Sequence, residues 1–233
     1  MNKRHGTARL GTTAAALCAV ALVGATPALA HPQEGNRGQD KTVTLNADLA
    51  ALNGSGAHGT ATVVVRNQKI LSAEVHAHGL TPDAPHAQHI HYGDDARNEC
   101  PGLFDDADGD GRINTVEGVP AYGPVVLSLT TTGDTSPASV LAVDRFPVAQ
   151  DGSYHYQRGD MNVTRVAGTG YAGGEGTPKQ IADAIRAGEG VLVIHGVDYD
   201  GDGMYSFSDE GASELDPSLP AEATDPAVCG ILR

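Results

Sequence analysis

The central part of the chain alternates apolar and polar residues with a period of two, beginning at Thr42. Val43, Leu45 and Ala47 are separated by polar neighbours, and Ala61 to Val65 is a mostly β-branched run after the turn-forming stretch Gly54-Ser55-Gly56-Ala57-His58-Gly59. Further strands are predicted over Ile70 to His78, His86 to Tyr92, Val125 to Thr130, Leu141 to Val148, Ser153 to Arg158 and Gly190 to Val197. Short strands separated by Gly, Pro and Asp turns predict an all-β Greek-key sandwich or barrel with long loops. One short helix interrupts them. Thr177 is placed as N-cap, Pro178 as N1 and Gln180 as N3, Ile181, Ala184 and Ile185 give an apolar stripe, and Gly188 is the stop.

The ends of the pattern set the domain organisation. Lys3, Arg4 and Arg9 precede an apolar, alanine-rich stretch over residues 10–25, and Ala28-Leu29-Ala30 has the small-x-small form of a cleavage site. This predicts a signal peptide over residues 1–30, an exported protein starting at His31, a flexible polar leader over 31–41 and a single β domain over 42–233. No later stretch is long and apolar enough to span a membrane. Losing the signal's three basic residues takes the formal charge from −14 to −17. Such an acidic chain is a poor partner for nucleic acid or an anionic membrane. Cys18 leaves with the signal, so Cys100 and Cys229 remain. In an exported chain they predict one disulfide, the alternative being a pair of metal thiolates.

The acidic residues are clustered in an informative order. Asp106 to Glu117 follows the twelve-residue calcium loop of the EF-hand: Asp106, Asp108 and Asp110 at positions 1, 3 and 5, Gly111 at the turn, the Arg112 carbonyl at 7, Asn114 at 9 and Glu117 at 12. On this reading the Arg112 side chain has no role. A second loop runs from Asp198 to Asp209. Its ligands would be Asp198, Asp200, Asp202, the carbonyl of Met204, Ser206 and Asp209, with Tyr205 where an aliphatic residue is usual and a shorter acid at the end. Pro101, Gly102, Gly118 and Pro120 argue against flanking EF-hand helices, so both loops read as calcium loops set between strands. Acidic turns without an ion are the alternative.

Histidines supply the second chemistry. His89 and His91 lie two apart on a strand and share a face. His195 ends the apolar run Val191 to Ile194, where an unpaired imidazole would be costly to bury. Three imidazoles suit copper or zinc, and hydrogen-bonded or surface histidines are the alternative. His76 and His78 form another same-face pair, either a second site or a polar sheet face. His86 and His155 are left unassigned.

Two family resemblances follow from these residues. The run from Leu45 through Gly59-Thr60-Ala61, Gly79-Leu80-Thr81-Pro82 and His89-Ile90-His91 resembles a chordin-type (CHRD) domain, a β-sandwich. His86-Ala87-Gln88-His89-Ile90-His91-Tyr92-Gly93-Asp94, Cys100, Val193-Ile194-His195 and Ala227-Val228-Cys229-Gly230-Ile231 resemble, in order, the metal-binding and disulfide motifs of copper/zinc superoxide dismutase. That resemblance implies His89, His91 and His195 as copper ligands and catalytic centre, a Cys100–Cys229 disulfide, and superoxide as substrate. The departures are specific. Asp106 stands where the family has its bridging histidine, the zinc loop is replaced by a calcium loop, and Pro226 stands where the family has its guiding arginine. The expectation is therefore an exported metal-binding protein with copper-dependent superoxide dismutation. The alternatives are a non-catalytic calcium-stabilised envelope module, or sequestration of copper or zinc.

Overall fold

A computed structural model describes residues 42–164 and 176–233. The predicted signal peptide, its cleavage at Ala30 and the leader over 31–41 lie outside the described residues. Eight strands form one antiparallel sheet: β1 (Thr42–Ala51), β2 (His58–Arg66), β3 (Lys69–His78), β4 (Gln88–His91), β5 (Val125–Ser128), β6 (Ser153–Asn162), β7 (Val191–His195) and β8 (Pro226–Ile231). Their spatial order is β5-β4-β7-β8-β1-β2-β3-β6. The links β3 to β4, β5 to β6 and β6 to β7 each cross between the two ends of this order, which gives the Greek-key character.

The edge strands β5 and β6 are joined by side chains. From β6, Arg158 donates to the carbonyl and hydroxyl of Thr130 just beyond β5 (2.7 and 2.6 Å), and the Tyr156 hydroxyl donates to the Thr130 carbonyl (3.2 Å). The sheet is thus a half-barrel held across its gap by a guanidinium. The main core fills its concave side, with Leu45, Val63, Ile70, Val75, Ile90 and Ile194 buried on alternate positions of their strands. A smaller cluster, including Tyr122, Val125, Val191, Val193 and Cys229, packs the opposite face of the β4–β7 region. Cys100 and Cys229 form a disulfide. Among the described residues, no helix is long and apolar enough to cross a membrane.

Three expectations change. Leu141 to Val148 is no strand: it is turns and a 3₁₀ segment, Val143–Arg145, with only Val148 bridging Pro85. Leu141, Val143 and Phe146 instead line a cavity described below. The terminal segment forms β8 because its backbone fills the space between β7 and β1. The single expected helix is present as α2 (Pro178–Ala184), with the Thr177–Gln180 capping box, but α1 (Thr115–Tyr122) and the single-turn α3 (Ala221–Thr224) join it. α1 begins at position 10 of the first aspartate loop, where an EF-hand exit helix begins. Pro120 and Gly118 do not prevent it. Asn114 supplies the cap, its side-chain oxygen accepting from the amides of Val116 and Glu117.

Candidate metal centre

β4 and β7 are adjacent, with His89 opposite Val193 and His91 opposite Val191. His195 keeps the parity of Val191 and Val193, so all three imidazoles project from one face of the sheet. Ring centroids lie 5.3 Å apart for His89–His195, 5.7 Å for His89–His91 and 6.1 Å for His91–His195. His89, His91 and His195 are 1, 0 and 2 % exposed, so their rings are shielded from bulk water.

Each ring commits one nitrogen to a backbone carbonyl. Nε2 of His89 donates to Val140 (3.2 Å), Nδ1 of His91 to Gly123 (2.8 Å) and Nδ1 of His195 to Thr224 (2.6 Å). A carbonyl only accepts, so each neutral ring carries its proton there and its lone pair on the other nitrogen. One nitrogen from each ring lies within 4.8 Å of the other two. The Nδ1 of His89 is buried with no hydrogen-bond partner. Burial above all, reinforced by the neighbouring imidazoles His195 and His91, holds the His89 pKa well below its usual value. Burial, with His195 beside it, lowers His91 to about 3, and burial lowers His195 to about 4. Three neutral imidazoles fit a copper or zinc ion, and a metal-bound imidazole usually donates its other ring N–H to a carbonyl or carboxylate, as these rings do.

Both aspartate loops lead into this centre. In the first, Asp106 accepts from the amides of Gly109 (2.7 Å) and Gly111 (2.9 Å). Glu117 accepts from Ala107 (2.8 Å) and Asn114 (3.1 Å), and the Asp106, Asp108 and Glu117 carboxylates group together. α1 then carries Tyr122, whose ring lies 4.4 Å from that of His91, to Gly123, whose carbonyl holds His91. Gly123 has φ 81°, and a Cβ there would meet the Gly93 nitrogen at 2.6 Å, so the chain needs glycine at this acceptor.

In the second loop, Asp198 accepts from Gly201 and Gly203 (2.8 Å each), repeating the first loop's pattern. The third carboxylate grouped with Asp198 and Asp200 is Glu222 of α3, which is fully buried, whereas Asp209 is exposed. Spacing could not reveal Glu222, because it lies thirteen residues past the loop's twelfth position. The one available signal was the shortened acid at that position. Two residues on, Thr224 offers the carbonyl that holds His195, and that same oxygen accepts from the Thr115 hydroxyl at the start of α1 (2.6 Å). Tyr205, the unusual aromatic of this loop, brings its hydroxyl within 3.0 Å of His86 Nδ1. His86 is buried and lies 2.8 Å from the His195 carbonyl and 3.0 Å from that of Thr81. It supports the strand end and stands outside the three-ring group.

Arg112 corrects the sequence reading. Its side chain is engaged three ways: with Asp110 (2.7 Å), Glu214 (2.8 Å) and the buried Asp225 (2.6 Å), which also accepts from the Tyr199 hydroxyl (3.0 Å). The guanidinium therefore ties the first loop to the second. Over the centre sits a cavity of about 60 Å³, bounded by His89, His195, Val140, Leu141, Phe146 and Leu215, and no charged side chain lines it.

No family model matches the chain, and no curated protein matches it. Among solved structures, superoxide dismutase 5 of Candida albicans in its Cu(II) form is similar at 16 % identity, over 82 % of this chain and 92 % of that one, with a TM-score of 0.38. Two variants of the same protein are similar at 16 and 17 % identity, with TM-scores of 0.38 and 0.33. They cover 82 and 75 % of this chain, and 89 and 98 % of their own.

Proposed function

We propose that this is an exported metalloprotein in which His89, His91 and His195 hold one copper ion, calcium orders the two loops behind them, and the centre serves superoxide dismutation. The observation that carries the reading is the commitment of one nitrogen of each buried ring to a carbonyl, which turns the remaining lone pairs toward a shared point. Without an ion, the His89 Nδ1, buried with no hydrogen-bond partner, would be costly to bury. A copper ion held there would supply the Cu(II)/Cu(I) couple that dismutation requires. The chain's own part is to keep the rings neutral, fix their tautomers and exclude bulk water. The disulfide fits an oxidising compartment, in keeping with the predicted export. Convergence of the rings disfavours the chordin-type binding module, for which dispersed histidines would be expected.

The test is Cu(II) titration in calcium buffer, read by stoichiometry, by nitrogen hyperfine structure in electron paramagnetic resonance and by superoxide removal, beside His89→Ala and His195→Ala. One copper held by three nitrogens that is lost, together with turnover, in both variants is expected. Failure to bind copper stoichiometrically would overturn the reading. Tight copper without turnover would favour sequestration, a second reading supported by the uncharged cavity, which does nothing to attract an anion.

A further inference from the structure

The outer face of β2, β3 and β6 carries a second set of metal-type ligands, far along the strand order from β4 and β7. On β3, Ala73, Val75 and Ala77 face the core, so Glu74, His76 and His78 face solvent. On β6, Tyr156 faces in and His155 out. The β3–β6 register sets His76 directly opposite His155 and Glu74 opposite Gln157. The His76 and His155 rings stack, with centroids 4.2 Å apart and planes within 5°. Nε2 of each meets the same carboxylate oxygen, Glu74 Oε1, at 3.1 and 3.0 Å.

Stability does not account for this arrangement. All three side chains are about half exposed, and exposed ion pairs contribute little. Two protonated imidazoles directly opposite each other on neighbouring strands would repel. The distances from Glu74 are compatible with a shared metal ion. Two ligands about 2.0–2.1 Å from one ion, at angles between square and tetrahedral, lie roughly 2.8–3.4 Å apart, which brackets the two Glu74 contacts. One atom from each of the three side chains lies within 4.8 Å of the others. The ligands stand on paired strands, so their backbones are already ordered, and binding requires the exposed stacked rings to turn so that both Nε2 atoms face the ion.

We propose that Glu74, His76 and His155 form a surface site for a divalent transition ion of the zinc or copper class, separate from the buried centre. Two imidazoles and a carboxylate suit such an ion, and exposure leaves its remaining positions to water. The site is therefore open and exchangeable, in contrast to the enclosed triad.

Zinc titration against a chromophoric chelator, in calcium buffer and on protein purified without a histidine tag, tests this. His76→Gln/His155→Gln is expected to bind one equivalent fewer than the parent, with unchanged thermal unfolding in EDTA. Glu74→Gln is expected to weaken that equivalent at least tenfold. His89→Ala is expected to retain it, so failure of the buried centre would not be mistaken for failure of this site. Equal stoichiometry in the parent and the double variant would overturn the proposal.

Discussion

Glu222 holds the second aspartate loop as Glu117 holds the first. Glu117 accepts from the amides of loop positions 2 and 9, Ala107 and Asn114, and Glu222 accepts from the same two positions, Tyr199 (3.2 Å) and Ser206 (2.7 Å). A carboxylate from a distant helix thus closes a loop whose own last acid faces solvent. Glu222→Gln is expected to abolish one calcium equivalent or weaken it at least about tenfold, and to cost roughly 1–3 kcal/mol through its altered buried hydrogen bonds. Asp209→Asn is expected to change calcium binding little. Isothermal titration of both variants checks this, and the opposite ranking would restore Asp209 as the closing ligand.

The carbonyls that orient His91 and His195 belong to the segments leaving the two loops, Gly123 after α1 and Thr224 at the end of α3. Calcium removal is therefore expected to loosen copper by about ten- to a hundredfold, the range typical when the groups that hold a metal's ligands are disturbed. Copper affinity measured by chelator competition, with and without calcium, reads this directly. Identical affinities would show that the loops keep their shape without the ion.

Asp225 is fully buried beside Arg112, itself 11 % exposed. Burial pushes the Asp225 carboxyl up, and the guanidinium counters by favouring its charge. Arg112→Ala leaves that acid without its cation and is expected to cost about 3–5 kcal/mol. The paired change Arg112→Met with Asp225→Leu is expected to recover part of the loss. Chemical denaturation of the three proteins checks both statements.

The triad makes the metal-free protein acid-sensitive. Unfolded imidazoles titrate near 6.5, whereas folded His91 and His195 do so at about 3 and about 4. Between those values the unfolded chain takes up protons that the folded chain refuses. Stability is then greatest above about pH 6.5 and falls with acidification, by up to about 1.4 kcal/mol per pH unit for each imidazole. Thermal unfolding in EDTA at pH 7, 6 and 5 is expected to show this decline, and copper loading is expected to reduce it. A flat metal-free profile would mean that the rings are accessible to protons when folded.

Access to the centre is expected through the cavity bordered by Leu141, which is partly exposed. Leu141→Lys would set a cation at its rim. If superoxide enters there, turnover is expected to rise several-fold at low ionic strength and the gain to vanish at high salt. No change under either condition would place the route elsewhere.

Sequence alone was enough for the features that rest on local spacing. Alternation predicted most of the strands, because a half-buried sheet imposes a period of two. The Thr177–Gln180 box located α2, because a cap is satisfied within four residues. The D-x-D-x-D-G order predicted both loops, because glycine supplies the turn and the acids follow it at fixed intervals. The pairing of Cys100 with Cys229 was legible because so few cysteines remain once the predicted signal is removed.

Only the tertiary structure decided what depends on distant partners. It converted Leu141 to Val148 from an expected strand into the apolar rim of a cavity, since hydrophobic content does not say which surface it covers. It brought Glu222 against the amides of the second loop, gave the Arg112 side chain a buried acid to hold, and grew α1 from the first loop despite Pro120. It also separated the histidines: three turn, through strand parity and carbonyl contacts, to the loop-covered face opposite the main core, His86 supports a backbone, and His76 and His155 meet on the opposite end of the sheet. Such contacts join residues tens to more than a hundred positions apart, and where Glu222, Asp225 and the three rings are concerned the energy that selects them is that of pairing buried polar groups, which no local pattern encodes.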